Sequence, residues 1–174
     1  MKTLFTLAFV FFAGISAFSQ DAHASESQLK QLPSVNLKNM NGKSVNTAAI
    51  GVDGPIIISF WATWCAPCVK ELPYFQKLHQ ENPNIKIVTV SLDFEKQVES
   101  KLKPFLKKKN YTFITTYMAD KKFNNWISKV DENWSGSIPA TWIINGSKGL
   151  FVEQEFASFE ELNQFVNESL TKLN

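Results

Sequence analysis

Ten consecutive residues constrain this chain more than any others: Ser59-Phe60-Trp61-Ala62-Thr63-Trp64-Cys65-Ala66-Pro67-Cys68. The apolar stretch that leads into them, Pro55 to Phe60, does not alternate, which predicts a buried central strand. Beyond them Leu72, Phe75 and Leu78 recur at helical spacing, which predicts a helix from Ala66 to about Gln80 with those three toward the core. The only two cysteines in the chain therefore stand where a buried strand gives way to a helix. A thiol there meets backbone N–H groups that have no partner within the helix, and the positive end of the helix dipole. Both favour its thiolate. A thiolate is the nucleophile of thiol–disulfide exchange, and a second cysteine one turn on can resolve the mixed disulfide.

Two plainer readings compete. Half of a zinc site would need further ligands, but no other cysteine exists, and His23 and His79 lie at no zinc-like spacing. A purely structural bridge closing so short a loop would constrain the unfolded chain only weakly.

The segment Phe60 to Cys68 resembles the active-site segment of the thioredoxin superfamily, and features elsewhere resemble its extracytoplasmic TlpA/ResA-type branch. The resemblance implies that Cys65 attacks and Cys68 resolves, with Pro67 in the first helical turn, where its missing N–H costs nothing. It places Trp64, partly exposed, at the rim of the site. Pro139, preceded by Ile138, matches the superfamily's cis-proline loop, which receives substrate backbone beside the disulfide. Trp61 has a simpler reading as a packing aromatic.

One departure from the pattern falls at Ser59, where many cytoplasmic thioredoxins carry a buried acid. Glu71, three residues after Cys68, holds the position of an active-site glutamate in ResA-like proteins. On a helix that spacing places both side chains on one face. If its carboxylate lies against Cys68, partial desolvation should raise its pKa. The alternative is an exposed glutamate near a helix start, where such charges are common.

Residues 1–19 read as an export signal: Lys2, an apolar core from Leu4 to Phe12, and small residues at Ala17 and Ser19. Cleavage is expected before Gln20, with Ala22-His23-Ala24 as a second candidate. The apolar run is short of the roughly 20 residues that span a bilayer. Export makes the protein periplasmic or otherwise extracytoplasmic, where disulfides persist. Without Lys2, 17 basic residues stand against 16 acidic ones. A balance so near neutral leaves no footprint for nucleic acid.

Residues 20–29 read as a flexible leader and 30–174 as one thioredoxin-like domain. Leu37, the turn Asn39 to Gly42 and Ser44-Val45-Asn46 predict an amino-terminal β-hairpin, which TlpA/ResA-like proteins also carry. Pro73 is expected to kink the first helix. A strand over Ile85 to Leu92 precedes a helix over Glu95 to Lys109, which Asp93 is placed to cap and Pro104 interrupts. Lys107-Lys108-Lys109 reads as a solvated helix end. A strand over Tyr111 to Tyr117, a short helix over Phe123 to Val130, and strands after Pro139 and over Leu150 to Glu155 follow. Ser158 and Glu161 fit a capping box that opens the last helix, with Leu162, Phe165, Val166 and Leu170 inward.

This order, β-β-(β-α-β)-α-β-α-β-β-α, implies an α/β thioredoxin fold, a central mixed sheet flanked by helices, with the hairpin and a central α/β insertion. The expected protein is an exported thiol–disulfide oxidoreductase that reduces protein disulfides through Cys65 and Cys68, without metal or other cofactor. Disulfide-containing clients such as apocytochrome c and a membrane thiol electron donor are the partners the resemblance implies; a monomer is expected. The rivals are a disulfide-forming dithiol oxidant, whose large helical insertion is missing, and a copper-handling thioredoxin-like module. The latter typically has a wider cysteine spacing and a distant histidine ligand.

Overall fold

The computed structural model describes residues 25–28, 36–46, 50, 54–120 and 122–174. The expected signal, 1–19, and residues 20–24 of the expected leader lie outside the described residues. Strands β1 (Ser25–Gln28), β2 (Asn36–Asn39), β3 (Ser44–Asn46), β4 (Ile56–Trp61), β5 (Lys86–Ser91), β6 (Ile114–Met118), β7 (Ala140–Asn145) and β8 (Lys148–Val152) form one mixed sheet in the order β1-β8-β7-β4-β5-β6-β2-β3. Only β4, β5 and β6 run parallel to one another. Helices α1 (Ala66–Glu81) and α2 (Lys103–Lys109) belong to the crossovers between them, α3 (Ile127–Val130) precedes β7, and α4 (Phe159–Leu173) closes the chain. Among the described residues no helix is long and apolar enough to cross a membrane.

Strand β4 is buried along its whole length because both faces of the sheet are covered. Side chains alternate along it. Ile57 and Trp61 join the core under α1 and α4, while Ile56, Ile58 and Phe60 join the opposite core. That second core is aromatic: the Phe60 ring lies 4.7 Å from Trp134, which packs 5.1 Å from Phe151. On α1 the apolar stripe is as the spacing predicts. Leu72, Phe75 and Leu78 are fully buried, each such burial contributing about 1.5–3 kcal/mol. Pro73 falls inside α1 but on its solvent side.

The amino-terminal hairpin forms where expected. Asn39 Oδ1 accepts from the Asn41 and Lys43 N–H groups and Gly42 takes a φ of 77°, so the turn closes without a Cβ in the left-handed region. The hairpin extends the sheet by pairing β2 antiparallel to β6. At the other end of the chain Ser158 caps α4, its hydroxyl accepting from the Glu161 N–H, while Glu161 accepts from the Ala157 N–H. Leu162 and Val166 are fully buried, with Phe165 and Leu170 packed beside them.

Three expectations need correction. Ser25–Gln28, inside the stretch read as a flexible leader, pair antiparallel with β8 as an edge strand; a polar sequence carries no apolar signal for an edge that only backbone bonds define. Residues 95–109 are not one interrupted helix but a 3₁₀ turn (Glu95–Gln97), a π turn (Val98–Leu102) and α2. Pro104 has no N–H to return to Ser100 and its ring crowds that carbonyl. The widened turn, with the Lys103 N–H bonded to the Val98 carbonyl, accommodates both. Asp93 does not cap this segment; the residue before the 3₁₀ turn is Phe94, which makes no side-chain cap. The Asp93 carboxylate points instead into the loop that follows β4.

Phe75 sits at the centre of the α1 stripe with no exposed surface. Phe75→Ala is expected to cost about 3–5 kcal/mol, read as a lower denaturant midpoint at an unchanged slope.

Candidate active site

The cysteines fall at the carboxyl end of β4, where the chain turns into α1. Cys65 is the N-cap of α1, held in extended backbone (φ −90°, ψ 98°), and Pro67 lies in the first turn. The Cys65 N–H donates to the Ala62 carbonyl at 3.1 Å, which tightens the loop just before the cap. The two sulfurs are joined in a disulfide of 2.00 Å. Cys65 Sγ accepts from the Cys68 backbone N–H at 3.3 Å, so a free helix-terminal donor already points at the sulfur that would carry charge on reduction. The first turn of α1 has no acidic residue to oppose this. Cys65 keeps 6% of its surface exposed and Cys68 none. Of the two residues, only Cys65 retains any surface.

The remaining predicted site residues divide by position. Trp64 is 58% exposed on the rim. The Ile138–Pro139 peptide bond is cis, and the Ile138 carbonyl oxygen lies 3.8 Å from Cys65 Sγ. Ile138 is half-buried and Pro139 buried, so this loop walls one side of the disulfide. Ser59, on the face of β4 that α1 covers, is fully buried and its hydroxyl has no hydrogen-bond partner. Thr141, paired with it across β7, is in the same condition.

Glu71 lies on the buried face of α1 with Cys68, one turn further along, and is only 1% exposed. Its Oε2 accepts from the Phe156 N–H at 3.1 Å, while Oε1 has no partner. Burial raises its pKa from 4.5 to about 8; the Phe156 N–H pulls the other way, and the Glu155 and Glu161 charges add to the rise. The exposed-glutamate reading of this residue does not hold. The sequence contained no sign that the backbone after β8 would fold over α1 and supply the Phe156 amide.

Sequence reading also missed an anchor of the cysteine loop. Asp93, 1% exposed just beyond β5, accepts from the Thr63 N–H at 2.9 Å, the Thr63 hydroxyl and the Ser91 hydroxyl. Its one legible signal was an acid directly after an apolar strand, a pattern shared with helix caps. A pocket of about 330 Å³ opens beyond Asp93, lined by Leu92, Phe94, Met118 and Phe123 among others, and neither cysteine lines it. Among the described residues no cluster of His, Cys, Asp and Glu could hold a metal ion.

The disulfide thus lies at a helix N-terminus with a cis-proline loop against it. Residues 29–150 match the AhpC/TSA family. The chain belongs to that family. It is 32% identical over 115 residues to sporulation thiol-disulfide oxidoreductase A of Bacillus subtilis, covering 64% of this chain and 68% of that one. It is 28% identical over 145 residues to the thiol-disulfide oxidoreductase ResA of the same organism, covering 81% and 70%. Among solved structures, a secreted Mycobacterium tuberculosis disulfide oxidoreductase homologous to E. coli DsbE superposes with a TM-score of 0.60 at 22% identity, over 78% of this chain and 96% of that one. That likeness shows the shared thioredoxin-type fold. This AhpC/TSA member is a ResA-like thiol–disulfide oxidoreductase, and its C-x-x-C pair, Cys65 and Cys68, lies at disulfide distance.

The buried carboxyl makes stability depend on pH. The folded chain keeps a proton on Glu71 that the unfolded chain releases in the ordinary carboxylate range. Its contribution is full below about pH 4.5, declines as pH rises, and is gone above about pH 8. Glu71→Gln is expected to flatten that decline. Chemical denaturation of the oxidised protein at pH 5 and pH 8 should show the variant gaining on the wild type toward pH 8.

Proposed function

We propose that this oxidoreductase is exported and works as a reductant of protein disulfides outside the cytoplasm. In the reduced enzyme the Cys65 thiolate attacks one sulfur of a client disulfide. The client S–S bond breaks, one client thiolate leaves, and a mixed disulfide remains. Glu71 takes the proton of the Cys68 thiol, and the Cys68 thiolate then attacks Cys65 Sγ. The second client thiolate leaves, two electrons have passed to the client, and the Cys65–Cys68 disulfide is regenerated. With its pKa pushed up to about 8, Glu71 holds a proton over most of the neutral range and accepts one only in its ionised fraction, which grows as pH rises toward 8. Trp64, Pro67, Ile138 and Pro139 shape the surface on which the client backbone lies.

The observation that carries the reading is the contrast between the two cysteines: Cys65 keeps 6% exposure and meets a backbone donor, while Cys68 has no exposure and shares the buried face of α1 with Glu71. The reducing direction is the reading that the ResA-like kinship supports. The polar neighbours of Cys65 Sγ among the described residues are the Cys68 N–H and the Ile138 carbonyl, both backbone groups. Strong oxidants hold their thiolate far more tightly than reductants do, so the reduction potential itself reports the direction. Export is supported by the signal-like residues 1–19 and by the secreted M. tuberculosis relative. A membrane thiol donor would re-reduce the enzyme, and apocytochrome c is the client class that the ResA-like kinship suggests.

Equilibration of the purified protein with a glutathione or thioredoxin couple tests the direction. The expected potential lies nearer about −270 mV than about −120 mV; a value at the oxidising end would make the enzyme a disulfide-forming oxidant. The cysteine roles are checked separately. Cys68→Ser is expected to accumulate mixed disulfides with clients on non-reducing gels, and Cys65→Ser to lose disulfide reductase activity.

A further inference from the structure

The loop that presents Cys65 is short: Ala62, Thr63 and Trp64 separate the end of β4 from the cap of α1. Its ends are tied by backbone bonds, Leu92 N–H to the Trp61 carbonyl at 2.7 Å and Cys65 N–H to the Ala62 carbonyl at 3.1 Å. Between those ties, among the described residues, the side-chain hydrogen bonds that reach the loop from elsewhere are those of Asp93 to Thr63. Asp93 Oδ2 accepts from the Thr63 N–H at 2.9 Å and from Ser91 Oγ at 2.7 Å, and Oδ1 accepts from Thr63 Oγ1. The Asp93 N–H in turn donates to Ser91 Oγ at 3.1 Å, so the acid is itself braced from β5. Asp93 and Ser91 are both buried, which makes a carboxylate with fewer donors costly and this arrangement stiff.

We propose that Asp93 is a positioning residue for thiol–disulfide exchange: through Thr63 it fixes the loop so that Cys65 Sγ stays aligned with the amide groups at the start of α1. The proposal rests on Cys65 being the attacking cysteine. Asp93 touches neither sulfur in its recorded hydrogen bonds; it acts on Thr63, two residues before Cys65. When the loop loosens, the alignment of Sγ with the Cys68 N–H becomes intermittent, and the thiolate loses part of its stabilisation. The predicted direction separates this from a simple charge effect. Removing a nearby negative charge would favour the thiolate and lower the thiol pKa, whereas losing the alignment raises it.

The test uses reduced full-length protein, with iodoacetamide alkylation followed across pH 5 to 9 and the modified cysteine identified by peptide mapping. Thr63→Val removes the hydroxyl bond but keeps the β-branched shape and the Asp93 charge. Thr63→Ser keeps the bond. Asp93→Asn removes the charge and at least one acceptor. Cys68 and Glu71 share α1 with Cys65, Asp93 lies beyond β5, and Thr63→Val alters none of these titratable groups.

The expected result is an upward shift of the Cys65 titration by about half a pH unit in Thr63→Val and Asp93→Asn. Labelling below the midpoint should then slow by about threefold. Thr63→Ser should restore the wild-type curve, and the double variant should go no further than Asp93→Asn, since both act through one link. Circular dichroism confirms that each variant is folded; if Asp93→Asn does not fold, Thr63→Val and Thr63→Ser carry the test. Unshifted or lowered titrations in folded variants, or Thr63→Ser behaving like Thr63→Val, would overturn the positioning role. Faster labelling of Cys68 than of Cys65 in the wild type would instead remove the cysteine assignment beneath it.

Discussion

The amide of Cys68, 3.3 Å from Cys65 Sγ, is the contact around which the molecule is arranged. It exists because a three-residue loop after β4 delivers Cys65 to the start of α1, so that the N-cap of the helix is a cysteine and not a hydroxyl or carboxylate side chain. A sulfur at an N-cap inherits the donors that a helix cannot satisfy internally. Everything else serves to hold this junction: the parallel pairing of β4 with β5, the apolar stripe that seats α1 on the sheet, and the loop of Ile138 and Pro139 across the opening.

Two buried acids flank the junction and are handled in opposite ways. Glu71 has one backbone donor for two oxygens, and burial shifts it toward the neutral form until about pH 8. Asp93 has three donors, two of them from Thr63, and serves as a fixed acceptor. The difference lies in what each meets. The α1 face under α4 is apolar and offers few donors. The end of β5 supplies the Ser91 hydroxyl and lies beside a turn whose Thr63 offers an N–H and a hydroxyl. A carboxyl short of donors is suited to moving a proton, and one supplied with donors to holding a backbone still.

Elements defined by their own residues were legible. The stripe Leu72, Phe75 and Leu78, the Asn39–Gly42 turn and the Ser158 cap each depend on spacing within a few residues, and the fold reproduces them. The segment from Glu95 to Lys109 was harder. Its helical composition is real, but Pro104 removes one ladder bond, and the chain answers with a π turn that no periodicity announces. Strand β1 was illegible for a different reason. Ser25–Gln28 are all polar, and their pairing with β8 uses backbone groups that every residue possesses.

The sequence by itself carried the chemistry-bearing residues: two cysteines one turn apart at a strand-to-helix junction, a proline between them, and an acid three residues after the second cysteine. Such features are local, and local hydrogen bonding and helical periodicity transmit them directly into structure. Only the tertiary fold decided the environment in which that chemistry operates. The amide that meets Glu71 comes from Phe156, 85 residues away, and the carboxylate that holds Thr63 lies 30 residues away. The carbonyl beside Cys65 belongs to Ile138, 73 residues on. Burial and the supply of donors are properties of what surrounds a residue in space, and no local pattern records which distant backbone will arrive there.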